Sequence, residues 1–161
     1  MQSPGVVAFT IFHVVLSLAG IGTGFAVAIG LLMSQRMDCM TTWFLWTTAA
    51  SSLTGCLFPV HHVMPSHILG VISVVVLAVT VHARYRGRLA GAWRWLYAGG
   101  AVFALYLNFF VLIAQSFAKV PALKALAPTQ TEPPFALAEG VALVAFAVLG
   151  VMAAIRFRPT V

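Results

Sequence analysis

Charge is what this chain has least of. Only 7% of its 161 residues are Asp, Glu, Lys or Arg, and the acids are three, Asp38, Glu132 and Glu139. A soluble domain carries about a quarter charged residues, because its helices show a polar face to water. Here 61% of residues are hydrophobic and the mean hydropathy is +1.02. One small core cannot hide that much apolar surface, so lipid must be part of the solvent. So few acids leave little for paired general acid and base work. The sequence also has no GxSxG, GxxxxGK[ST] or HExxH motif, which sets aside soluble hydrolase, nucleotide and zinc-protease chemistry. Cysteine is scarce too. Cys39 and Cys56 fall on one expected helix, about 25 Å apart at ~1.5 Å per residue, out of disulfide reach. With no CxxC pair they read as small packing residues.

What the chain does have is long apolar runs. Residues 6–33, 41–58, 66–83, 95–117 and 135–155 form five such segments, matched to a hydrocarbon core of about 30 Å. The expectation is an all-α integral membrane bundle of five transmembrane helices, a single domain over residues 1–161. A signal peptide would open with basic residues and a shorter apolar run, whereas MQSPG has no Lys or Arg. His13, Ser17, Gly20 and Gly24 recur at helical spacing on one face, where small residues let another helix approach. The second segment is rich in hydroxyls (Thr47, Thr48, Ser51, Ser52, Thr54), which suits a place inside the bundle.

The net charge of +6 has a topological reading rather than a nucleic-acid one. Arg36, the run Arg84, Arg86, Arg88 and Arg94, and the terminal Arg156 and Arg158 fall on one side of the membrane, against Lys119 and Lys124 on the other. The positive-inside rule then predicts the N-terminus outside and the C-terminus in the cytoplasm.

Between the second and third segments lies Thr54 to Gly70, a polar corner holding His61, His62 and His67 and broken by Pro59 and Pro65. The predicted topology gathers these three, His13, Gln115, Glu132 and Glu139 at the outer end; only His82 falls at the other. Three chemistries use such a set. Haem b takes two neutral imidazoles at equal depth, with His13 and His67 as the pair, Gly20 and Gly70 making room, and Ser17, Gln115 or a carbonyl orienting the second ring nitrogen. A quinol or proton site uses a histidine together with Glu139. A copper or zinc site draws on His61, His62 and His67.

Structural roles stand beside each. His61 and His62 suit an interfacial loop, Asn108 and Gln115 suit bonds across helices, and Glu139 suits a helix N-terminus. The whole chain also fits a non-catalytic accessory subunit whose faces pack other membrane subunits or copies of itself. A transporter is disfavoured, since no inverted repeat is visible.

The phrases TGCLFP, PSHILGVISVVVLA, LAGAWRWLYAGGAVFALYLNFFVL and PALKALAPTQTEPPF together resemble a family of short bacterial multi-pass integral membrane proteins of unassigned function. The resemblance covers most of the chain after Thr48. It implies a bacterial inner-membrane setting and assigns no residue a role.

Overall fold

In lipid there is no water to bond a bare backbone, so a single segment satisfies its N–H and C=O groups by coiling into a helix. The computed structural model describes residues 4–56 and 65–159, which are helical apart from short links. The helices are α1 (Pro4–Leu32), α2 (Asp38–Cys56), α3 (Pro65–Tyr85), α4 (Ala92–Lys119), α5 (Pro121–Leu126) and α6 (Pro133–Arg156). Four of them, α1, α3 from Ile68, α4 and α6, are long and apolar enough to cross a membrane. The hydroxyl-rich α2 is less apolar and stands outside that group. The histidine corner with Pro59, His61 and His62 lies outside the described residues, as does the side chain of His67.

Helix α4 occupies the centre and packs on α1, α3, α5 and α6, while α2 closes the other side by packing on both α1 and α3. Its buried Tyr97, Ala98, Ala101, Ala104 and Leu105 follow the three-and-four spacing of a single helical stripe. Small residues set how closely the helices meet. A Cβ on Gly24 of α1 would stand 2.6 Å from Leu105 Cδ1 and 2.9 Å from Phe44 Cε2, so only glycine lets α1 settle there. Phe25, Phe109 and Phe146 meet where α1, α4 and α6 join, with centroids 5.3 to 6.1 Å apart.

The chain alternates direction, so the connections sort into two ends. At the arginine end, buried Arg84 pairs with Asp38 and donates to the Tyr97 hydroxyl at 2.8 Å, and that hydroxyl also meets Thr41 Oγ1 at 3.1 Å. One buried cation thereby ties α2, α3 and α4. Arg94 donates to the Phe157 carbonyl at 2.7 Å, and the Arg158 N–H donates to Ser34 Oγ at 2.8 Å. Ser34 stands just past α1 with φ 58°, in the left-handed turn that ends a helix.

At the lysine end, Glu132 precedes α6 and accepts from Thr129 Oγ1 at 2.9 Å and from the N–H groups of Thr129 and Thr131. Slight desolvation works against its charge, but these hydrogen bonds outweigh it and hold the carboxyl below its ordinary range. The short α5 lies between α4 and α6 and opens with Pro121, whose missing N–H is no loss in a first turn.

Candidate functional site

The polar residues of α1 and α2 face each other and form a ladder inside the bundle. At the rung farthest from the arginine end the Thr54 hydroxyl lies 2.7 Å from the Ala50 carbonyl, to which it donates. His13 Nδ1 lies 2.8 Å from Thr54 Oγ1, and with the hydroxyl proton on that carbonyl the ring nitrogen is the donor. In that arrangement a neutral His13 carries its proton on Nδ1. Gly55 allows the approach, since a Cβ there would stand 3.3 Å from His13 Cε1.

One turn deeper, Ser17 Oγ donates to the His13 carbonyl at 2.9 Å, so the 2.6 Å contact with Ser51 Oγ is donated by Ser51. Next come Gly20 and the Asn108 amide, which donates to Thr48 Oγ1 at 3.0 Å. Below that rung Phe44 and Leu105, both fully buried, close the ladder before Thr41 and Tyr97 resume it. The polar file is interrupted and does not cross the bundle.

Removing the Thr54 acceptor should release the tautomer. Thr54→Val is expected to shift the His13 proton population from Nδ1 toward Nε2, while Thr54→Ser preserves it, as read from the 15N shifts of selectively labelled histidine. A Thr54→Val spectrum identical to wild type would show that Thr54 does not orient the ring.

Glu139 has a different environment. It is 9% exposed, and neither carboxyl oxygen has a hydrogen-bond partner among the described residues. Because α6 begins at Pro133, Glu139 lies beyond the first turn, so the helix-terminus role expected from the sequence does not account for it. Its helix is the one least covered by protein, with 11% of its most apolar window buried. On the same face Leu143 and Phe146 follow at four and seven residues. Tyr106 of α4, whose ring centroid is 5.8 Å from that of Phe146, lies within electrostatic reach of the Glu139 carboxyl.

The other predicted site residues scatter. Ser17 bonds to a backbone carbonyl and to Ser51, and the ring of His13 is oriented by Thr54 instead. Gln115 is exposed on α4, whereas Asn108, one heptad earlier, reaches across to α2. His82 is exposed against Trp93 with centroids 4.9 Å apart. His13 and His67 belong to α1 and α3, and both α2 and α4 pack against those two helices. Among the described residues no three His, Cys, Asp or Glu side chains gather as metal ligands. Thr54 and Tyr106 are the residues that sequence reasoning missed. Thr54 was visible only as one of many hydroxyls, and Tyr106 as one aromatic among an apolar run.

No protein-family model, curated protein or solved structure matches the chain.

Proposed function

We propose that this is a five-span protein of the bacterial inner membrane, N-terminus outside, that meets quinol through a proton-exchanging carboxyl in the outer half of its bundle. The fifth span is α2. It packs along α1 from Phe44 beside Gly24 to Thr54 beside His13, so where α1 crosses, α2 crosses with it. Its outward residues Trp43, Trp46 and Leu53 are apolar and exposed, as lipid requires. The arginine end faces the cytoplasm by the positive-inside rule, and the resemblance to short bacterial membrane proteins supports the inner membrane.

The observation that carries the reading is the unpartnered carboxyl of Glu139, buried in the helix most open to lipid. An ionisable side chain in that position is costly and is retained where a proton or ligand must be held. As a carboxylate it accepts a hydrogen bond from a quinol hydroxyl, and as an acid it donates one to a quinone carbonyl. A haem between His13 and His67 stands as the alternative; Gly55, in the last turn of α2, lies against the His13 ring.

Titration of a tailed benzoquinone into nanodisc-held protein tests the reading. Wild type is expected to bind saturably, and Glu139→Gln at least tenfold more weakly. Equal binding by the two proteins, or none by wild type, would overturn it. The second reading, an accessory subunit of a larger membrane complex, is favoured by the α1–α2–α4 ladder, whose hydroxyls are satisfied within the chain and serve packing. It predicts a co-purifying membrane partner or a homo-oligomer in native mass spectrometry, with no quinone response.

A further inference from the structure

We infer that the groove between α4 and α6 is the site of the quinone's isoprenoid tail, with the Tyr106 hydroxyl and the Glu139 carboxyl holding the ring oxygens at its upper end. This rests on the quinol reading and adds the ligand's path, its tail chemistry and a second polar contact. The groove encloses about 470 Å³ and is lined by apolar side chains and glycines, among them Gly99, Phe103, Phe146, Ala147 and Gly150, with Tyr106 as its polar member. Its depth comes from the small residues. A Cβ on Gly99 would meet nothing within 4 Å, and one on Gly150 only Val102, at 3.6 Å.

From Leu143 to Ala154 the α6 wall runs about 16 Å at ~1.5 Å per residue, the scale of several isoprenoid units. Aromatic rings crowd the upper end. Phe103 and Tyr106 stack at 6.0 Å, and Phe146 stands 5.8 Å from Tyr106.

Two polar groups stand near that end: the Tyr106 hydroxyl, which makes no hydrogen bond among the described residues, and, one turn beyond Leu143 and past the groove's own lining, the Glu139 carboxyl, whose two buried oxygens have no partner among them. A phospholipid acyl chain would fill the groove and leave both unsatisfied. A quinone brings two ring oxygens to them and a branched apolar tail to the rest, which is the complement of what the groove offers. Both carboxyl oxygens are buried, so the ring reaches them when Leu143 turns outward while Tyr106 stays in place. Leu143 is 52% exposed, so it can swing toward lipid.

The test uses the full chain in nanodiscs and a benzoquinone whose isoprenoid tail carries a photoreactive azide, compared with a tail-less short-chain benzoquinone. Tail cross-links are expected on α4 and α6. Gly99→Leu, or Ala147→Leu should the first fail to fold, is expected to weaken the tailed quinone at least tenfold and the tail-less one less than twofold. Tyr106→Phe is expected to weaken both at least threefold. Cross-links on α1 or α2, with binding still lost in Glu139→Gln, would overturn the groove and leave the quinol reading standing. No binding of either quinone would remove both. If phospholipid displaces the tailed quinone while Tyr106→Phe and Glu139→Gln bind as wild type, the groove is an acyl-chain site and the inference fails.

Discussion

Glu139→Leu is expected to make the protein more stable, by about 1–3 kcal/mol, while abolishing quinone binding. The sign follows from the carboxyl's surroundings. Both oxygens are buried without a hydrogen-bond partner among the described residues, so the folded state carries a desolvation penalty that leucine, similar in volume and wholly apolar, does not. Removing one half of a satisfied pair would have the opposite effect, leaving the other half stranded. Reversible unfolding in mixed detergent micelles, followed by loss of helical signal, reads the stability, and quinone titration of the same sample reads function. A gain of stability with loss of binding is the signature of a group kept for its chemistry. A destabilised Glu139→Leu would show instead that the carboxyl has a partner in the folded protein.

The second large effect is expected at Gly24. Gly24→Leu should destabilise by about 1–3 kcal/mol or more, because the new side chain must enter space filled by Leu105 and Phe44, both fully buried. Phe44→Ala should cost about 3 kcal/mol, the low end for deleting a buried aromatic, since the unfolded helices remain in lipid and little apolar surface is exposed to water. The two changes touch the same space. The double variant is therefore expected to be at least about 1 kcal/mol more stable than the sum of the singles predicts, as the leucine fills the cavity left by the ring. Gly22 is the control: it is exposed, and an added Cβ meets nothing within 4 Å. Gly22→Leu should change stability by less than about 0.5 kcal/mol. Additive energies in the double variant, or equal effects at Gly22 and Gly24, would refute the account of the α1–α2–α4 contact.

These expectations divide between what periodicity reveals and what neighbours decide. The stripe of His13, Ser17, Gly20 and Gly24 does face other helices, and the hydroxyls of α2 do point inward, with Thr41, Thr47, Thr48 and Ser51 buried. Both follow from an i, i+3, i+4 pattern, a property of one helix at a time. Placing Glu139 needed the true start of α6. That two residues as far apart as Asp38 and Arg84 form an ion pair, with Tyr97 between the arginine and Thr41, needed the packing order. The haem pair shows the same limit: equal depth for His13 and His67 is an expectation from the chain, whereas which helices pack around theirs is not legible there.

The amino-acid order by itself determined that the chain is helical and suited to lipid, because apolar runs of span length with scarcely any acids leave no soluble alternative. It also determined which face of α1 and of α2 turns inward. Only the tertiary structure decided that Thr54 meets His13, that α2 packs against both α1 and α3, and that the Glu139 carboxyl has no hydrogen-bond partner among the described residues. The reason is physical: helix formation and burial depend on a residue's own segment, whereas satisfaction of a polar group depends on which other segment arrives within about 3 Å of it.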